Sequence, residues 1–349
     1  MLAAVLFLPV PAAAVSARKA YVLDAVSGRT LFEKDANRRS LIASTTKIMT
    51  ALIICEQCNV LDRMRIPKEA VGIEGSSMYL KEGEILTLQE LLYGLMLSSG
   101  NDAAVALAIY CGGTVEGFAQ RMNDKAHILG MKDTHFVNPN GLDHPDHYST
   151  ARDLAVLAAY AMENPIFQKT VSARTVKVGK RVLKNHNKLL WQLSGAEGVK
   201  TGFTKAAGRI LVSSVRRNDR RVIAVTINAP NDWADHKAMQ EESFSRYTIC
   251  PIVSQGEKLG SVEVVGGENQ KVEILAAEDF CYALAPEETT QTAIPGPGFV
   301  YAPAVSGADA GCAYILINGN AVGSVKTVYG QTVEQVKTEK KSLWQKLLG

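Results

Sequence analysis

The chain has 349 residues, of which 47% are hydrophobic and 21% charged, and its net charge is +3. That length is too great for one small core and implies about two domains. The 38 Lys and Arg are scattered rather than clustered, which excludes the basic stripe that phosphate tracking needs, so nucleic acid is not an expected partner.

The first residues, "MLAAVLFLPVPAAAVSA", form a short apolar run ending in small residues. They read as a secretory leader over 1–17, with Val15-Ser16-Ala17 as its small-x-small end, although the usual positive start is missing. "AYVLD" and "RTLFEK" flank Val26-Ser27-Gly28 and predict a hairpin over 20–34. "SLIASTTKIMTALIIC", 40–55, predicts a helix apolar on nearly every side, yet it carries Lys47 three residues after Ser44. Thr87 and Glu90 form a capping box that opens a helix through "LQELLYGLML". "SSGN" at 98–101 interrupts, and "DAAVALAIYC" resumes as a helix. Further helices are expected over 115–129 and from "TARD" at 150–153 up to Asn164-Pro165. From 199 the period changes: "VKTGFT", "RILVSSVRR" and "RVIAVTINA" read as strands, and "WADHKAMQEESFSRY" as a closing helix.

Strands at both ends of a helical block predict an α+β domain over 18–247, in which one antiparallel sheet collects both ends. Beyond it, short β-type runs with Gly-rich turns and an Asn318-Gly319 hairpin signal predict a small all-β domain over 248–330. Residues 331–349 form a tail. Within it Leu343, Trp344, Leu347 and Leu348 stand opposite Lys340, Lys341 and Lys346, the pattern of a helix lying on an anionic membrane surface. The alternative is that this helix packs on the β-domain. Of the six cysteines, Cys55 and Cys58 form a C-x-x-C without a second pair at zinc spacing. Packed core thiols are the expected reading, a redox pair the alternative, and a Cys281–Cys312 bridge is left open.

A serine hydroxyl needs a base to become a nucleophile. A lysine serves as that base only when its pKa is lowered, and burial in an apolar helix lowers it. The helix dipole adds to this in the first turn. Ser44 and Lys47 meet these conditions. Ser99-Gly100-Asn101 lies at a break between helices, and Lys200-Thr201-Gly202 at the start of a strand. Each triplet alone is common. In the order S-x-x-K, S-x-N, K-T-G they are the signature of penicillin-recognising serine enzymes.

With "YVLDAVSGRTLFEKDAN", "FVNPNGL", "HYSTARDLA", "NHNKLL" and "GVKTGFTKAAGRILVSS" in the same order, residues 20–247 resemble the D-alanyl-D-alanine carboxypeptidases among the low-molecular-mass penicillin-binding proteins. The resemblance implies a β-lactamase-like transpeptidase domain, helices packed on an antiparallel sheet, with a small β-domain behind. It implies that Ser44 attacks the penultimate D-Ala carbonyl, with Lys47 as base. Ser99 would relay a proton to the leaving amine, and Asn101 would hold the substrate amide and Lys47. Lys200 and Thr201 would bind the terminal carboxylate, and Gly202 would let the substrate lie on the strand. The backbone N–H groups of Ser44 and Phe203 would form the oxyanion hole.

The implied partners are peptidoglycan stem peptides ending in D-Ala-D-Ala, and β-lactams, in an extracytoplasmic location. No cofactor or metal is expected. The rivals are a DD-endopeptidase or β-lactamase on the same scaffold, and a catalytically silent cell-wall binding protein. A β-lactamase needs an acid to activate the deacylating water; Glu163 and Glu197 are the acids of that type between 150 and 200, and neither stands in the usual motif. His144-Pro145-Asp146-His147 reads as a solvated loop before a helix. His186 either borders the substrate cleft or has no role.

Overall fold

The computed structural model describes residues 15–337 and divides at Arg246/Tyr247 into two compact units. In the first unit β1 (Lys19–Asp24) and β2 (Thr30–Lys34) form the expected hairpin, and a 3-10 turn (Ala43–Thr46) leads into α1 (Lys47–Gln57). A two-stranded ribbon, β3 (Arg63–Arg65) with β4 (Ile85–Thr87), precedes α2 (Leu88–Leu97). Four helices follow: α3 (Asn101–Gly112), α4 (Val115–Ile128), α5 (Ala151–Ala161) and α6 (Pro165–Ser172). A second ribbon, β5 (Thr175–Val178) and β6 (Arg181–Lys184), and a short α7 (Leu189–Gln192) lead to β7 (Ala196–Thr204). The unit closes with β8 (Gly208–Arg217), β9 (Arg220–Ile227) and α8 (Asp232–Arg246).

The five-stranded sheet runs β2-β1-β9-β8-β7 and is antiparallel throughout. The first and last parts of the unit therefore share one sheet, Val22 standing opposite Ala224. Every residue of β9 is buried, because α5 and α8 both pack on it. α1 is the hub of the helical block: Lys47 to Cys55 are all buried among α2, α3, α4, α5 and α6. This explains its lack of a polar stripe, since a helix apolar all round is one surrounded by others.

Both halves of the capping box at Thr87 and Glu90 are present. α5 ends before Asn164-Pro165 as expected, and the same pair also begins α6. The Asn164 side chain accepts from Ile166 and Phe167 N–H, and Pro165 occupies the first helical turn, where a missing N–H costs nothing.

The expected leader boundary at 17 cuts through folded structure. Val15 and Ala17 are buried. Ser16 donates from N and Oγ to Asp235 at 3.0 and 2.7 Å, and Ala17 N donates to the same carboxylate at 3.1 Å. Residues 15–17 therefore belong to the first unit.

The second unit is all-β, as expected. β10 (Thr248–Val253) pairs with β13 (Phe280–Leu284). A six-stranded sheet holds β11 (Lys258–Val265), β12 (Lys271–Ala276), β14 (Thr290–Ala293), β15 (Phe299–Tyr301), β16 (Asp309–Ile317) and β17 (Asn320–Tyr329). Asn318 and Gly319 both take positive φ, 50° and 80°, and turn β16 into β17. The unit runs past the expected limit at 330, because Val333 bridges Ala304 and Gln335 bridges Gly267. The amphipathic stretch 339–349 lies outside the described residues. No helix among the described residues is long and apolar enough to cross a membrane.

Candidate active site

The three motifs converge although they lie on separate elements. Ser44 sits in the 3-10 turn rather than in the α-helix itself, just before α1 begins with Lys47. Ala43 enters that turn at φ 46°, a left-handed conformation that L-residues rarely adopt. Lys47 is fully buried. Its Nζ lies 3.0 Å from Ser44 Oγ, 2.7 Å from Asn101 Oδ1 and 2.6 Å from the Asn140 carbonyl. Burial, then the nearby Lys200 charge, pushes the Lys47 pKa well below its usual value, against a smaller opposing effect of Asp102. A neutral amine donates two hydrogen bonds and accepts one. Two fixed carbonyl acceptors therefore hold the Lys47 amine beside the Ser44 hydroxyl.

Asn101 is the first residue of α3, and Ser99, two residues earlier, holds φ 59°. The Asn101 side chain donates onward to Glu74 O at 2.5 Å, and its backbone N–H donates to Ser76 O at 2.7 Å. Asp102, also buried, accepts from Ser77 Oγ and from the N–H of Met78 and Leu80. The 74–80 loop is thus strapped to the start of α3 and brings Ser76 to the site. Gly75 has no alternative there: a Cβ would stand 2.7 Å from Asn101 Nδ2, and φ is 93°.

Lys200, Thr201, Gly202 and Phe203 lie on β7, the sheet edge beside the Ser44 turn. Lys200 is buried, donates to Thr201 O at 3.0 Å, and burial lowers its pKa to about 7. A Cβ on Gly202 would come within 3.3 Å of Ile42 O, Ser44 N and Thr45 N, so glycine allows strand and turn to touch. A cleft of about 340 Å³ is lined by Ser44, Ser99, Thr201, Gly202 and Phe203, with Lys47 and Lys200 buried behind it. Ser76, His186, Lys188, Arg209, Asp232 and Trp233 complete the wall. His186 therefore does border the cleft; burial, then Lys200, lowers its pKa. Arg209 and Asp232, an ion pair at 2.7 Å, are wall residues that sequence reading missed.

His147 departs from the solvated-loop reading. His144 to Asp146 are exposed, but His147 is buried. Its Nδ1 accepts from Val137 N–H at 3.1 Å, which leaves Nε2–H to donate to Thr46 Oγ1 at 2.7 Å. Thr46 in turn donates to Ala43 O. A neutral imidazole thus supports the turn that carries Ser44, and burial lowers its pKa to about 4. Glu163 and Glu197 both pair with Arg221, at 2.5 and 3.0 Å. The cleft lining includes neither acid.

Comparison with known proteins assigns the family. Residues 8–231 match the family model described as D-alanyl-D-alanine carboxypeptidase. The chain belongs to the D-alanyl-D-alanine carboxypeptidase family. Residues 247–335 match the C-terminal domain of penicillin-binding protein 5. Among curated carboxypeptidases of the family, DacF of Bacillus subtilis is 34% identical over 275 residues, 75% of this chain and 71% of DacF. DacD of Escherichia coli is 31% identical over 285 residues, 76% of this chain and 73% of DacD. Among solved structures, penicillin-binding protein 5 of Haemophilus influenzae superposes with a TM-score of 0.81 at 26% identity, covering 92% of this chain and 98% of its own. This carboxypeptidase thus shares a two-unit architecture with a penicillin-binding protein over nearly its whole length.

Proposed function

We propose that this serine-type D-alanyl-D-alanine carboxypeptidase works through an acyl-enzyme on Ser44. The observation that carries the reading is the buried Lys47 amine, held by Asn101 and Asn140 with Ser44 Oγ at 3.0 Å. Ser44 gives its proton to Lys47 and attacks the carbonyl of the penultimate D-Ala. The oxyanion that forms is met by the N–H groups of Ser44 and Phe203. The proton returns through Ser99 to the amine of the departing D-Ala, while Asn101 orients Lys47 and the substrate amide. Lys200 and Thr201 hold the terminal carboxylate. Water then hydrolyses the acyl ester.

The same constellation accepts β-lactams, whose strained amide presents its carbonyl and carboxylate at matching positions. The β-lactamase reading is disfavoured, because Glu163 and Glu197 are committed to Arg221. The intact Lys47 contacts speak against a silent binding protein. Peptidoglycan lies outside the cytoplasmic membrane, so we place the enzyme there, with residues before 15 as leader and 339–349 as a membrane-surface tail. Release of D-Ala from a diacyl-Lys-D-Ala-D-Ala peptide, alongside assays on cross-linked muropeptides and a penicillin, tests the reading. D-Ala release with little cross-link cleavage or penicillin turnover is the expected result.

A further inference from the structure

Many arginines of the first unit meet an acid: Arg181 pairs with Glu84, Arg209 with Asp232 and Arg217 with Glu241. One cavity breaks that habit. It measures about 650 Å³ and lies at the open end of the β1–β2 hairpin, where Arg18, Lys19, Lys34, Arg38 and Arg39 line it with one acid, Asp35. The even scatter of Lys and Arg along the chain hides this cluster. It comes from two stretches, 18–19 and 34–39, that strand pairing sets side by side, with Ala20 opposite Lys34. β9 closes the other side: Lys19 stands opposite Ile227, and Arg18 N donates to Asn228 O at 3.1 Å.

Most of the charge in this cavity is unanswered. Arg39 pairs with Asp133 at 3.0 Å, but among the described residues Arg18, Lys19, Lys34 and Arg38 form no ion pair. Lys19 Nζ meets neutral oxygens, Ser40 Oγ and Arg39 O, and Lys34 Nζ donates to Val15 O at 3.0 Å. Burial, then the Arg38 charge, lowers the Lys19 pKa; Asp35 opposes this and Arg18 adds to it. Like charges crowded around one concavity repel, and an anion seated among them relieves the repulsion. Ladder hydrogen bonds fix β1 and β2, and Ser40 exchanges backbone bonds with Ser149 at 2.8 and 3.0 Å. The cations therefore converge before any ligand arrives.

We propose that this cavity binds a phosphodiester group of an anionic polymer outside the cytoplasm, where the enzyme is placed. A guanidinium presents a planar fork of N–H donors that fits two phosphate oxygens. Arg18 and Arg38, both exposed and without an acid, supply two such forks. Lys19 and Lys34 add charge from the strands. The surroundings favour a polymer over a bilayer. A membrane-surface site needs apolar side chains that enter the lipid, and no exposed large hydrophobic residue lines this cavity. A single concavity also differs from the basic stripe that tracks nucleic acid. The inference uses no contact of Ser44 or Lys47 and stands apart from their roles.

Binding of fluorescent poly(glycerol phosphate) to the full chain, followed by anisotropy, tests the proposal. Saturable binding that weakens as salt rises is expected. Arg18→Gln together with Arg38→Gln weakens it on the order of tenfold or more. Lys177→Gln together with Lys180→Gln removes the same charge from an exposed ribbon elsewhere and changes it less than about twofold. Uptake of fluorescent penicillin shows that each variant folds. On the native chain, the polymer shields Lys19 and Lys34 from acetylation and leaves Lys177 and Lys180 reactive. That result stands even if the arginine variant fails to fold. Equal weakening in the two double variants overturns the proposal, and so does acetylation of Lys19 and Lys34 that the polymer leaves unchanged. Phosphatidylglycerol vesicles that bind through Arg18 and Arg38, with no binding of the polymer, make the occupant a membrane and overturn it as well.

Discussion

Lys47 and Asn101 lie 54 positions apart in the chain, yet Nζ and Oδ1 meet at 2.7 Å inside the protein. The contact joins the first residues of α1 and α3 and leaves Ser44 Oγ as the remaining partner on the open side of the amine. An amide is suited to this place. It fixes the lysine without a charge that would hold the proton on it.

Exchanging that amide for an acid of the same shape tests the point. Asn101→Asp puts a carboxylate against Nζ, which raises a lysine pKa by roughly 1–3. The neutral fraction of Lys47 at a given pH then falls. The acid limb of the acylation rate with fluorescent penicillin moves to higher pH. An unchanged profile contradicts the role given to Asn101.

Ser44 is expected to be the one residue that penicillin labels. Ser44→Ala loses the label, and Lys47→Arg, which keeps the charge but cannot give up a proton, collapses acylation. Peptide mapping of the labelled protein and stopped-flow acylation check both. Near-normal acylation of the arginine variant excludes Lys47 as base.

Lys200 sets the alkaline side. It is charged below about 7 in the free enzyme, and carboxylate recognition needs that charge. kcat/KM therefore declines as pH rises through about 7. In the complex the bound carboxylate favours the charged form, so the decline in kcat lies at higher pH. Lys200→Met also removes the cation that helps depress the Lys47 pKa, and its penicillin acylation needs higher pH than the wild type. pH profiles of the two parameters, with and without the substitution, decide this.

A substrate amidated at its C-terminus lacks the charge that Lys200 and Thr201 are placed to hold. Such a contact is worth about 1.5–3 kcal/mol, so kcat/KM drops more than about tenfold against the free acid. Equal turnover of acid and amide argues against this placement.

Acid is expected to destabilise the first unit through two histidines. Burial holds His147 near 4 and His236 near 3, both below the ordinary value of 6.5. Between those values the unfolded chain binds more protons than the folded one, so the stabilisation is complete above about 6.5 and is lost as pH falls. Each histidine accounts for roughly 3 kcal/mol by pH 4. His236 sits between Ser213 and Thr226 at 2.7 and 2.9 Å. His236→Gln flattens the fall in denaturant midpoint between pH 7 and 4 if this assignment holds.

Much of the site was legible because its chemistry sits in side chains at short, fixed spacing. Ser44 with Lys47, Ser99 with Asn101, and Lys200 to Gly202 each lie within four residues. What stayed hidden works through main chain or distant burial. The Asn140 carbonyl holds Lys47, but any residue supplies a carbonyl. His147 looked solvated beside His144 and Asp146, and only the fold sends it inward to Thr46. Asp102 reads as an ordinary first-turn acid until the 74–80 loop closes over it. That one antiparallel sheet collects both ends of the unit could be anticipated from the strands there. α6 could not, because Asn164-Pro165 carries both a stop and a start, and sequence pattern alone did not choose between them.

Gly202 bears on how this enzyme could come to tolerate antibiotics. A side chain at that position would press on Ile42 O and on the N–H groups of Ser44 and Thr45 before it reached anything in the cleft. It would disturb drug and natural peptide alike, so selection finds no steric gate at Gly202. The side chains of Phe203, 65% exposed, and Trp233 line the cleft wall. Substitutions that shut out a bulky drug yet spare turnover are therefore open to the rim and closed to the floor.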